Sequence, residues 1–280
     1  MSRLTRDMRL SIIVPIGDFE QWKHCDASIA SSIAVAPEGV EFEVLPCFDL
    51  DHKGAYLARN EGLAKATGDW IVWVDCDDEV EPSWASEIVA AIKSHPEIDV
   101  IQYDAIEVRG DKRRPLRYGF EGEVGGEQFA HELLRNDGMP AWLWTRVFKR
   151  QLFEGLSFDG RVKHDYGMFL QLLPRIKSVW SIGKPLYRYN RHGKGLSNYA
   201  QQMDYAESGH CFESSIMALP AGWHRDGYIG LALTMADVAR HSKVENGSRQ
   251  WVRKYLRNVL SDSNVPLRLK VKTFLAAIGI

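Results

Sequence analysis

Short apolar runs alternate with amphipathic stretches through the first hundred residues. Leu10-Ser-Ile-Ile-Val-Pro15 is β-branched and closed by proline, the pattern of a buried strand leaving a sheet. Asp18 can cap a helix running to about Ala36, with Trp22, Ile29 and Ile33 on its inner face. Glu41 to Cys47 reads as a second strand, and Ala55 to Thr67 as a helix that Gly68 stops in the left-handed conformation. Trp70-Ile-Val-Trp-Val74 is a third buried strand. Pro82 opens a helix to about His95, and Asp99 to Val108 is a fourth strand. This alternation predicts an α/β fold, a parallel sheet covered by helices on both faces.

The second half is less regular. Arg109 to Glu123 is basic and glycine-containing, a hairpin or loop, followed by helices at Glu127 to Arg135 and Asp165 to Ile176. Ser178 to Ile182 and Leu186 to Tyr189 read as short strands. From Asn198 the pattern is helical almost to the end. A boundary near 198 follows, with a helical extension over 199–280.

Ligands of such sheets bind beyond the carboxyl ends of the strands. Gly17-Asp18, Asp49 to Lys53 and Asp75-Cys-Asp-Asp78 all fall there. Asp75 and Asp77 are two apart, so an extended backbone points both carboxylates to one side. Clustered carboxylates repel unless a cation sits between them, and oxygen ligands select a hard ion, Mg²⁺ or Mn²⁺, held partly through substrate phosphates. The plainer alternative is that Asp77 and Asp78 cap a following helix.

Composition narrows the class. Thirty-five Lys+Arg against 37 Asp+Glu give a net charge of −2, which argues against a protein built to neutralise nucleic acid. Cys25, Cys47, Cys76 and Cys211 form no C-x-x-C pair and suit reduced thiols in a cytoplasmic protein. No apolar run reaches membrane-spanning length. Nine tryptophans are many for 280 residues, and mark either core packing or a sugar cleft.

Several segments together, in order, resemble one family. Leu10–Pro15, Ala58-Arg-Asn-Glu-Gly62 and Ala66-Thr-Gly-Asp69 leading into Val74-Asp-Cys-Asp-Asp78 look like the nucleotide-sugar half of family 2 glycosyltransferases. Trp144-Thr-Arg-Val-Phe-Lys-Arg150, Lys163-His-Asp165 and Pro185-Leu-Tyr-Arg-Tyr-Asn-Arg-His192 resemble its acceptor-side segments. The resemblance covers residues 10 to 198, about two thirds of the chain. It implies a GT-A fold (Rossmann-like, with a mostly parallel sheet), with a donor half over about 10–108 and an acceptor half over about 109–198. It also implies inverting, metal-dependent transfer of a sugar from a nucleoside diphosphate, a UDP-sugar, to a glycan or lipid-linked hydroxyl.

Under that resemblance Asp75 and Asp77 hold the Mn²⁺ or Mg²⁺ ion, with His192 near it. Pro15, Asp49 and Arg59 line the donor pocket, although a salt bridge to Glu61 or Asp69 would also explain Arg59. Asp165 is the base, with His164 next to it, and Trp142 and Trp144 are the expected sugar contacts. Three positions depart from the family. Gly17-Asp18 stands where Tyr-Asn is usual, removing an aromatic stack on the base. Phe48-Asp-Leu-Asp51 replaces Asp-Asp-Gly-Ser, and His164 replaces the Glu of a Glu-Asp pair. These departures would suit an inactive relative that binds glycan or scaffolds an assembly. A sugar-1-phosphate nucleotidyltransferase would use similar carboxylates, but it normally opens with a glycine-rich phosphate loop, which Pro15-Ile-Gly-Asp18 is not.

The tail shifts the charge picture. Residues 249–280 hold seven Lys+Arg and one Asp, interleaved with Leu267, Leu269, Val271, Phe274, Leu275 and Ile278. That pattern fits either a helix on the anionic inner face of a membrane or a solvated helix docked on the acidic half.

Overall fold

A computed structural model describes residues 8–51, 53–135, 141–159, 164–191, 205–242 and 247–280. The chain divides into two compact units: residues 1–125, 142–160 and 175–192 form one, and 126–141, 161–174 and 193–280 the other. In chain order the elements are β1 (Met8–Ile16), α1 (Phe19–Ala34), β2 (Val40–Phe48), α2 (Ala55–Lys65), β3 (Trp70–Trp73) and β4 (Glu79–Val80). Then come α3 (Trp84–Ser94), β5 (Val100–Arg109), β6 (Lys112–Leu116), β7 (Gly122–Gly125), α4 (Gly126–Arg135) and β8 (Arg146–Lys149). The last are α5 (His164–Leu172), β9 (Ser178–Asn190), α6 (Tyr205–Met217), α7 (His224–His241), α8 (Ser248–Ser261) and α9 (Leu267–Ile278).

The first unit is built on one sheet with strand order β2-β1-β3-β8-β5-β9-β4; β6 pairs with β5, and β7 with β9. Strand β1 runs parallel to β2 and β3, and β5 runs parallel to β9. The sheet is nevertheless mixed, because β8 inserts antiparallel between β3 and β5. The two segments expected as separate short strands are one strand, β9. It bends at Gly183, whose φ of 66° is left-handed, and its register against β5 shifts around Asp104.

Why β1 and β3 form the centre is plain from their sequence. Leu10, Ile12, Val14 and Ile16 share one apolar cluster with Trp22, Ile29, Trp70, Val72 and Trp84, while Ile13, Ile71 and Trp73 are buried as well. Burial on both faces requires near-continuous apolar strands and helices on either side. Asp18 caps α1 by accepting from the N–H groups of Glu20 (2.9 Å) and Gln21 (3.2 Å).

Two expected helix ends are corrected. Pro82 lies in a turn, and α3 begins two residues later at Trp84. Gly68 is not left-handed. Helix α2 ends at an extended Ala66, and Gly68 is required because a Cβ there would fall 2.6 Å from the Ser11 hydroxyl and 2.7 Å from its backbone nitrogen.

The second unit is helical. Helix α7 is buried along most of its length and packs with α4, α6, α8 and α9. A polar network lies within it. The Arg135 guanidinium donates to Asp226 and to Asp262, both at 2.7 Å, and His131 Nδ1 lies 2.5 Å from Asp226. Hydrogen bonding from Arg135 holds the Asp262 carboxyl down at about 2, below its usual range. No helix among the described residues is long and apolar enough to cross a membrane.

Candidate active site

The order β2-β1-β3 means the chain leaves β1 toward one side of the sheet and returns on the other. That reversal is the switch point where open α/β sheets bind ligands. Three loops leave the strands there. Gly17 and Asp18 follow β1, Asp49 to Gly54 follow β2, and Val74 to Asp78 follow β3. The Asp49 N–H donates to the Ile16 carbonyl at 2.8 Å, and the Val74 N–H to Ile13 at 3.0 Å, so the sheet's bonding continues into the loops.

Within the acidic loop burial alternates. Asp75 and Asp77 are part-exposed, whereas Cys76 and Asp78 are buried. Arg59 of α2 is itself buried, brings its guanidinium 3.3 Å from Asp75 Oδ1 and makes a cation–π approach to Phe158 at 5.8 Å. The first carboxylate of the motif is therefore a partner of Arg59. Glu61 pairs with Lys65 instead, and Asp69 accepts from the Arg9 N–H at 3.1 Å.

Neither Asp77 nor Asp78 caps a helix, since β4 follows directly. Asp78 is 1 % exposed and binds the end of β9. Its carboxylate accepts the Tyr187 hydroxyl at 2.9 Å and the Asn190 N–H at 2.7 Å. The same Tyr187 oxygen accepts the Asp75 N–H at 3.0 Å, and the Asn190 side-chain amide donates to the Asp77 carbonyl at 3.1 Å. Burial, reinforced by Asp77 and Asp75, pushes the Asp78 carboxyl well above the usual carboxylate range. The two hydrogen bonds offset only part of that. Behind this clamp Tyr187 stacks on Trp144 with centroids 4.5 Å apart, and Trp144 stacks on Trp142 at 4.8 Å.

That stack corrects one expectation. Trp144 is 4 % exposed and covered by Trp142, Tyr187 and Tyr189, so it is core rather than a sugar contact. Trp142 is half-buried at the edge of the same stack. Pro15 is buried in β1, in register with Cys47. Asp49 accepts the N–H groups of Lys53 (2.7 Å) and Gly54 (2.8 Å), so it shapes the loop before α2. Asp165 is half-buried in the first turn of α5, in the helical unit. His192 lies outside the described residues, as does the side chain of His164.

Two aromatics escaped the sequence reading. Phe19 and Phe48 are 51 % and 46 % exposed, and their rings stack with centroids 6.5 Å apart at the ends of β1 and β2. An aromatic face is thus present two residues after Gly17. The hint in the sequence was a pair of phenylalanines flanking polar strand ends, where nothing apolar is needed for packing.

Residues 47–156 match the family described as glycosyl transferase family 2, a span that holds Asp49, Arg59 and the whole acidic loop. Among relatives, the chain is 27 % identical over 177 residues to an uncharacterized glycosyltransferase of Haemophilus influenzae, covering 58 % of this chain and 56 % of that protein. It is 25 % identical over 225 residues to the O-antigen biosynthesis protein RfbC of Myxococcus xanthus, covering 70 % of this chain and 17 % of RfbC. In neither case does the chain span two thirds of the relative's length. The crystal structure of S. aureus TarS 1–349 in complex with UDP-GlcNAc has the same fold, with a TM-score of 0.64 at 15 % identity over 97 % of this chain and 88 % of that one. Among the described residues the chain contains no group of three His, Cys, Asp or Glu side chains placed to hold a metal. Asp75 and Asp77 present two part-exposed carboxylates, oxygen donors whose chemistry would suit a hard ion taking its remaining ligands from water and phosphate.

Replacing Asp78 by Asn removes the titrating group and keeps its shape. A carboxyl whose folded pKa is raised contributes stability that is full below its unfolded pKa of about 3.8 and declines as pH rises toward the folded value. Asp78→Asn is therefore expected to gain stability over the wild type as pH climbs from about 4 to 7. Thermal unfolding in EDTA checks this, and an advantage that shrinks with rising pH would contradict the account.

Proposed function

We propose that this chain transfers a sugar, with inversion, from a nucleoside diphosphate donor to a hydroxyl of a glycan or lipid-linked acceptor. The observation that carries the reading is the acidic loop at the β2-β1-β3 switch point, inside the family 2 segment. A UDP-sugar is the donor favoured by the fold shared with TarS, whose structures hold UDP-GlcNAc and UDP. A polysaccharide acceptor is favoured by the likeness to RfbC.

Each group then has a chemical task. Phe19 and Phe48 offer an exposed aromatic face to the nucleobase, the place where Gly17 leaves a gap. Asp75 and Asp77 would hold Mg²⁺ or Mn²⁺, which when bound supplies positive charge to the departing diphosphate. Arg59 orients the Asp75 carboxylate through the ion pair at 3.3 Å. The Tyr187 and Asn190 bonds to the backbone of Asp75 and Asp77 fix the turn, so the carboxylates need no reordering when the donor arrives. Asp165 is the proposed base that takes the proton from the acceptor hydroxyl. The nucleotidyltransferase alternative is disfavoured because only Gly17 and Asp18 join β1 to α1, too little chain for a phosphate-wrapping loop.

Three variants separate these roles. Asp77→Ala is expected to abolish the Mn²⁺-dependent part of UDP binding in titration calorimetry, and an unchanged metal response would remove Asp77 from the ligand set. Phe48→Ala is expected to weaken UDP roughly tenfold, within the range for loss of one base–aromatic stack; equal affinity would move the base elsewhere. Asp165→Asn should leave UDP affinity intact while cutting turnover of a screened nucleotide sugar by ~10²–10⁴-fold. A near-normal rate would shift the base to another group, with His164 next to be tested. Failure of the wild type to bind UDP with Mn²⁺ would favour an inactive, glycan-binding relative.

A further inference from the structure

Helix α9 is packed the wrong way round for a buried helix. It buries Thr273, Ala276 and Ala277, and exposes its large apolar side chains. Leu267 is 76 % exposed, Val271 49 %, Phe274 46 % and Ile278 52 %. The spacing i, i+4, i+7, i+11 lines these four along one stripe. Scattered exposed apolar residues are ordinary; a contiguous stripe on one helix marks a contact surface.

The charges around the stripe say what kind. Arg268 and Lys270 fall on either side of it. On the neighbouring α8, Arg253, Leu256, Arg257, Leu260 and Ser261 line an open groove of about 510 Å³, and the first four share one helical face. Arg253 donates to the Ala277 carbonyl at 2.8 Å, joining that groove to the C-terminal part of α9. Lys254 and Lys272 are neutralised by Glu213 (2.6 Å) and Asp237 (2.5 Å). The one acid of this stretch, Asp262, is buried against Arg135. Among the described residues Arg257, Arg268 and Lys270 form no ion pair, so the exposed face combines apolar side chains with uncompensated positive charge.

We propose that α8 and α9 form a docking surface for a lipid bilayer containing anionic phospholipids. Leu267, Val271, Phe274 and Ile278 enter the boundary between headgroups and acyl chains, while Arg257, Arg268 and Lys270 lie at headgroup level. The Arg253–Arg257 groove, with Leu256 and Leu260, offers two guanidinium groups and an apolar wall, a match for a phosphate attached to an acyl chain. A second copy of the chain fits less well, because two-fold pairing of this face would bring the same three cations together. The inference stands apart from the sugar-transfer reading, since it uses none of the residues of the acidic site.

Vesicle flotation of the full chain tests it, using phosphatidylcholine alone against phosphatidylcholine with 30 mol % phosphatidylglycerol. The chain is expected to float with the anionic vesicles, to float far less with the neutral ones, and to be released by 0.5 M NaCl. Val271→Glu with Phe274→Glu should abolish binding. Arg257→Gln with Arg268→Gln should weaken it roughly 25-fold, at about fivefold per cation. Circular dichroism of both variants should match the wild type, since every substituted side chain is exposed. A wild-type chain that stays in the buffer, or a glutamate variant that floats equally well, overturns the proposal. Self-association broken by the glutamate pair, without vesicle binding, overturns it in favour of a second copy.

Discussion

The acidic loop depends on one buried carboxylate. Asp78 is withdrawn from water beside two other acids, an arrangement that is unfavourable unless its oxygens are bonded and something opposes the repulsion. Tyr187 and Asn190 supply the bonds, and Arg59 supplies positive charge beside Asp75. The clamp also works on the backbone. Tyr187 accepts from the N–H of Asp75, and Asn190 donates to the carbonyl of Asp77. The strand end that holds the turn lies more than a hundred residues further along the chain. The rest of the sheet can be read as support for it: β9 reaches this place because β5 pairs with it in parallel, and Arg188 ties it to Glu79 and Glu81 beside β4.

This explains why three aspartates in four residues do different things. Alternate residues of the loop are buried, so Asp78 and Cys76 go inward and Asp75 and Asp77 stay in contact with solvent. A carboxylate facing water is ionised and can meet a cation or a cationic side chain. One facing the core has to be bonded or neutral. The D-x-D spacing and the third aspartate are thus two halves of one design, one presenting charge and the other fixing where it is presented.

Most strands and helices up to residue 109 were legible because their signals are local; the two-residue β4, set by pairing with β9, was not. Apolar runs of strand length, a capping Asp18 and amphipathic stretches between them specify β1, α1, β2, β3 and β5 without any distant information. Arg146–Lys149 was not read as a strand. Four residues with charged ends carry little periodicity, and their place between β3 and β5 is decided by pairing. The same limit hid the role of Asp78, whose partners are remote, and misdirected Trp144. A tryptophan beside a motif looks the same in sequence whether its faces are open or, as here, covered by Trp142 and Tyr187. Gly68 was rightly singled out for the wrong reason, since a close approach to Ser11 and a left-handed stop both select glycine.

Helix α9 shows the reverse case, in which pattern alone did not say which side packs and burial does. Its sequence is apolar on more than one side, so periodicity cannot say which side packs. Small residues allow close helix contact, and Thr273, Ala276 and Ala277 provide it, leaving the bulky side chains outside. A solvated, salt-bridged helix would show the opposite, with charges outward and Leu267, Val271 and Phe274 covered. Pairing removes Lys254 and Lys272 from the exposed charge and burial removes Asp262, while Arg257, Arg268 and Lys270 flank apolar surface and form no ion pair among the described residues. The near-zero net charge of the whole chain therefore describes neither region. It is the sum of an acidic loop, held by Arg59 and a buried clamp, and a basic tail whose one acid, Asp262, is already paired with Arg135.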